Sequence, residues 1–171
     1  MPNDLFIYST PVFARHLRIL DDIVGIAERH ASERNIDATA LILARLYPDM
    51  FPFTGQVRAA CGTAQRATAR MLGLEPSESA DNDKTFEDMH ERIRGTVAFV
   101  SGFTEADFAG ADQRTVSFPT ANGSTPLTSR AYLTRFALPN FYFHLATAYD
   151  ILRHNGVPLG KRDYLRIDSE M

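Results

Sequence analysis

The sequence predicts an all-α protein: a four-helix bundle with a short extra helix and a small β-hairpin before the last helix. Three observations carry this. Four stretches, near 11–31, 54–72, 85–101 and 139–155, repeat apolar residues at helical spacing. Each is bounded by residues that start or stop helices. Only residues 115–128 alternate in the manner of strands, around the tight-turn dipeptide Asn122-Gly123. Four amphipathic helices bury their apolar stripes by sharing one core, and a bundle follows.

Ser9, Thr10 and Pro11 open the first long helix, with Thr10 as N-cap and proline at the first helical position. Phe13, Leu17, Leu20, Val24 and Ala27 form its apolar face, and Asp21, Asp22, Glu28 and Arg29 its wet face. His16 and His30 project to similar sides but sit about 21 Å apart along the axis, so they read as rim histidines. Asp37 caps a short extra helix, ATALILARLY, which Pro48 ends. The connector LYPDMFPFT is shaped by two prolines, with Asp49 or Thr54 capping the next helix.

The second long helix turns Val57, Cys61, Ala64, Thr68, Met71 and Leu72 to one face, rich in small residues, and Gly73 ends it. After the acidic loop 75–83, Thr85 and Asp88 form a capping box for the third helix. Phe86, Met89, Ile93, Val97 and Val100 are its stripe, with His90 beside them as a partly buried structural histidine. A lead-in helix over 129–138 precedes Pro139, where the lost N–H predicts a kink or restart. Asn140 is placed to satisfy a carbonyl freed there.

From Pro139, Phe141, Leu145, Ala148 and Leu152 make a compact stripe. His144 lies on its shoulder, about 70° from the centre, and His154 faces away. Gly156 stops the helix and Pro158 prevents resumption. Tyr142 and Tyr149 edge the stripe and suit a helix–helix or subunit contact. The tail 157–171 offers Leu159, Tyr164 and Leu165 for docking on the bundle or a partner.

The 171 residues suit one domain, 1–171. The net charge of −3, without a basic block, argues against nucleic acid as a partner. A single cysteine excludes an intramolecular disulfide and fits a reducing compartment. No run is long enough to span a membrane, and the N-terminus lacks a signal-peptide pattern, so the cytoplasm is the expected setting. No phosphate loop, CxxC, HExxH or GxSxG occurs.

ARLYPDMFP (44–52), ALPNFYFHLATAYDILRHNGV (137–157) and GKRDYL (160–165) resemble an uncharacterised bacterial domain-of-unknown-function family, DUF1993, within the DinB-like (YfiT-like) superfamily. The resemblance implies a four-helix bundle in that superfamily's unusual helix order, assembled as a homodimer, with no established reaction. Superfamily members that hold metal use one histidine from the second helix and two from the fourth, a set suited to zinc or nickel. Here the second helix has no histidine and carries Cys61 inward. Thr147 and Ala148 stand three and four residues after His144. No cofactor is therefore expected, with a divalent zinc or nickel as the alternative.

The candidate pocket comprises His144, Asn140 and Thr147, with Cys61 across the small-residue face and Asp49 and Arg45 at the bundle mouth. Asn140 and Thr147 would fix the His144 tautomer. Cys61 is either a thiolate partner of His144 or a small packed residue. Arg45 and Asp49 are either a ligand-facing pair or a surface cation and a cap. Two readings stay open: a non-catalytic or small-ligand-binding homodimer, and a metal- or thiol-dependent transferase or hydrolase with a reduced site around His144.

Overall fold

A computed structural model of the chain describes residues 3–77, 80–120 and 123–167. The long helices are α2 (Thr10–Glu33), α4 (Phe53–Leu72), α5 (Phe86–Ser101) and α7 (Leu138–His154), preceded by α1 (Asp4–Ile7) and with α3 (Ala38–Ile42) between the first two. A two-stranded antiparallel hairpin, β1 (Thr115–Thr120) and β2 (Gly123–Thr128), leads into α6 (Ser129–Tyr132), and α8 (Lys161–Leu165) closes the described chain. Thr115 pairs with Thr128 and Thr120 with Gly123. Of the expected Asn122-Gly123 turn, Asn122 lies outside the described residues.

Helix α2 packs chiefly on α5, while α4 packs on both α5 and α7. Successive long helices α2 and α4 touch only weakly, so the bundle is not wound up-down-up-down. The stripes read from periodicity meet in the core: Phe13, Leu17, Leu20 and Val24 from α2, Val57, Ala60, Ala64 and Met71 from α4, Met89 and Ile93 from α5, Phe141, Leu145 and Leu152 from α7. Alanine-rich α4 lets its neighbours approach closely. No described helix is long and apolar enough to cross a membrane.

Several ends differ from expectation. Ser9, not Thr10, occupies the cap position of α2, yet its hydroxyl turns back to donate to the Leu5 carbonyl at 2.5 Å. The reason is the unanticipated α1, whose Asn3 side chain accepts from the Leu5 and Phe6 amides and which supplies that carbonyl. Asp37 caps α3 through the Thr39 amide at 2.9 Å, but the helix ends at Ile42 rather than at Pro48. Neither Asp49 nor Thr54 caps α4; Pro52, extended at ψ 171°, holds that position. The capping box of α5 forms as read, and Gly73 adopts the left-handed conformation at φ 73°.

Pro139 does not break the last helix. A π-helical turn over Leu133–Ala137 joins α6 to α7, with the Leu138 amide donating to the Leu133 carbonyl. Widening the preceding turn absorbs the missing proline donor, and α7 continues from Leu138 with the proline in its first turn. At the other end, Asn155 and the left-handed Gly156 close α7. Val157 and Leu159 are buried, and Tyr164 packs edge-on against Tyr149, so the tail docks on its own bundle.

Candidate functional site

Helix α4 runs antiparallel to α7 and to the α6 turn before it, and three polar contacts bridge α4 to this segment in sequence. Near the start of α4, His144 Nδ1 meets Gln56 Oε1 at 2.7 Å. One heptad on, Asn140 Nδ2 donates to Thr63 Oγ1 at 2.8 Å. A further heptad on, Arg70 Nη1 donates to Tyr132 Oη at 3.1 Å. Residues seven apart return to nearly the same side of a helix, which places Gln56, Thr63 and Arg70 along one edge of α4.

Gln56 sets the His144 tautomer. Its Nε2 donates to the Phe51 carbonyl at 3.1 Å, so its Oε1 is the atom facing the imidazole and must accept. His144 Nδ1 therefore carries the proton, and in the neutral ring Nε2 keeps its lone pair. The imidazole is half-buried, stacked against Phe51 and edge-on to Phe143. Burial lowers its pKa, and the charge of Arg66 lowers it further.

The other candidates separate. Asn140 does not satisfy a carbonyl at the proline; it reaches across to Thr63, whose own hydroxyl donates to the Ala59 carbonyl at 2.8 Å. Thr147 does not fix the imidazole, because its hydroxyl donates to the Phe143 carbonyl one turn back, at 2.7 Å. Cys61 is buried beside Thr96 of α5; burial pushes the thiol up to about 12. It is a packed thiol that makes no hydrogen bond to His144, so the two form no nucleophilic pair. Arg45 donates to the carbonyls of Pro48 and Met50, both at 3.2 Å, and orders the connector instead of pairing with Asp49.

The remaining histidines are dispersed. His16 contacts the Val12 carbonyl and Tyr142, His90 meets Asp21 at 2.5 Å, and His154 is exposed. Among the described residues no three His, Cys, Asp or Glu side chains converge as a metal site requires. A tri-histidine zinc or nickel centre does not fit the seam: the group facing His144 is an amide, and the next turn offers threonine and alanine. Two grooves, of about 400 Å³ and 330 Å³, lie between α2 and α5, lined by residues such as Ala14, Arg18 and Val97, and a larger one of about 640 Å³ runs along α8 beside Lys161, Arg162 and Leu165.

Periodicity reading missed Gln56, Thr63 and Arg70, because it followed the apolar face of α4. The signal available was the heptad spacing of Gln56, Thr63 and Arg70 in a helix otherwise rich in small residues.

The folded-state pKa values of His144 and His16 both lie below the ordinary 6.5. As pH falls through 6.5, the unfolded chain takes up protons before the folded one, so stability declines until the folded values are passed. Above 6.5 neither group contributes. Urea midpoints should therefore fall between pH 7.5 and pH 5.5, and His144→Gln should flatten part of that slope. An unchanged slope would contradict the assignment.

Residues 5–165 match the family model described as "Domain of unknown function (DUF1993)". The chain is also similar to a DinB family member protein from Shewanella denitrificans, solved by crystallography at 1.83 Å. The two are 37% identical with a TM-score of 0.89, covering 98% of this chain and 93% of that one. No curated protein matches the chain.

Proposed function

Since the chain belongs to the DUF1993 family, within the DinB-like superfamily, we propose that it is a non-catalytic, small-ligand-binding homodimer in which a hydrogen-bonded seam replaces the tri-histidine metal site. The observation that carries this reading is the Gln56–His144 contact. The second long helix has no histidine to offer, and the group it turns to His144 is an amide already committed to the Phe51 carbonyl. Asn140 and Thr63 close the next level of the seam in the same way. We place the protein in the cytoplasm as one domain without nucleic-acid or membrane partners, in keeping with its single free cysteine and its charge of −3.

The test has two parts. Tag-free protein analysed for zinc and nickel is expected to contain far less than one metal per chain, and light scattering at micromolar concentration is expected to give twice the chain mass. One tightly held metal per chain, or a monomer, would overturn the reading.

A second reading, an enzyme with a reduced site around His144, is favoured by one feature. The imidazole is held neutral with Nε2 unprotonated, the form a general base needs. It predicts turnover of an acyl, phosphoryl or thiol substrate that His144→Gln abolishes.

A further inference from the structure

Among the described residues, the α4–α7 seam carries a cation without a countercharge. Arg66 is partly buried, and its guanidinium folds back along α4 over Gly62. A Cβ at position 62 would lie 2.6 Å from Nη1, so only glycine leaves the guanidinium where it is. Among the described residues Arg66 makes no hydrogen bond and no ion pair. The charged or polar groups that act on it are Arg70 and the Tyr132 phenol, and burial and Arg70 both lower its pKa. Arg70 itself is occupied, bonded to Tyr132 and lying over the Phe118 and Tyr132 rings at 5.7 Å and 5.9 Å.

A half-buried guanidinium beside a like charge, with no described carboxylate facing it, is left without a compensating partner. An arriving anion supplies one, and the planar fork suits a carboxylate bidentately. The charge of Arg66 is felt at His144, and two rings about half exposed flank that imidazole, Phe51 at 52% and Phe143 at 53%. One free guanidinium matches a monoanion better than a phosphate dianion, and exposed aromatic surface suits an apolar body.

We propose that Arg66, with His144 and the Phe51 and Phe143 rings, forms a binding site for a small organic carboxylate with an apolar body, its carboxylate held by the Arg66 guanidinium. This rests on the ligand-binding reading above and names the class of ligand.

Benzoate is the probe, titrated into the full-length protein while the His144 ring resonances and the thermal midpoint are followed; inorganic phosphate is the comparison. Benzoate is expected to shift the His144 signals saturably, leave those of His154 unmoved, and raise the midpoint. Arg66→Gln should weaken benzoate by about tenfold or more, the loss of a charge-assisted bidentate contact. Gly62→Ala should keep or raise the midpoint of the free protein, since alanine favours helix, yet weaken benzoate because the new methyl displaces the guanidinium. A saturable response unchanged in Arg66→Gln, or none to benzoate, overturns the proposal. Saturation by phosphate alone overturns it as well. Failure to bind benzoate in a metal-free dimer removes this proposal and leaves the underlying reading standing, whereas a stoichiometric metal removes that reading.

Discussion

Replacing Asp83 by alanine is expected to destabilise the protein by about 2–4 kcal/mol, the cost of removing the carboxylate that bonds the largely buried Arg92 twice. Asp83 stands just before α5 with its side chain 8% exposed, and Arg92 on α5 is 14% exposed. The guanidinium grips the carboxylate through Nε to Oδ2 at 2.5 Å and Nη2 to Oδ1 at 2.8 Å, and Nη2 also donates to the Ala80 carbonyl at 2.8 Å. Hydrogen bonding to Asp83 raises the Arg92 pKa, and a guanidinium stays charged at neutral pH without that help, so the cation persists when the carboxylate is removed. A solvent-exposed pair of the same geometry would contribute well under about 1 kcal/mol, which makes burial the deciding factor. The double replacement Asp83→Leu with Arg92→Met should recover much of the loss, because no orphaned charge remains. Urea denaturation measures both; a loss below about 1 kcal/mol in the single variant would show that water reaches the pair.

Phe141→Ala is expected to cost a similar amount, about 3–5 kcal/mol, by a different route. Phe141 is fully buried where α7 faces α2, and its ring meets Phe13 edge-to-face at 4.9 Å between centroids. Truncation removes apolar area from the core, leaves a cavity the rigid helices only partly close, and deletes a favourable ring pair. For a chain of this size the thermal midpoint should drop by about 6–20 °C. Phe141→Leu, which keeps most of the volume, should cost less than about 1.5 kcal/mol. Equal losses for leucine and alanine would mean that ring geometry, not cavity volume, dominates at this position.

Much of the bundle is legible in the residue pattern alone. Periodicity places Phe13, Leu17, Val57, Met89 and Phe141 inward, and all five are buried. Capping chemistry places the start of α5 at Thr85 and the end of α4 at Gly73. The misreadings cluster at positions with competing uses. Ser9 turns to a carbonyl of α1 that a reading of the α2 motif alone does not include. At Pro139, by contrast, the expected interruption takes the form of a π turn over Leu133–Ala137 that relieves the lost donor, and α7 begins at Leu138. The candidate site is legible in its centre, His144 and Asn140, and not in its partners.

The division follows from the range of the interactions. Helix position, inward face and the absence of three well-spaced histidine ligands are local properties of the 171-residue string, set by neighbours within a few turns. Which helix lies beside which is a global choice, and it assigns the side chains on each flank of a stripe to different neighbours. Cys61 and Gln56 sit five residues apart on α4, about 140° around the axis, so one faces Thr96 on α5 and the other His144 on α7. Tertiary structure alone decided that the imidazole of His144 would meet an amide 88 positions away, and that Arg66 would lie over Gly62 with no carboxylate among the described residues to answer it.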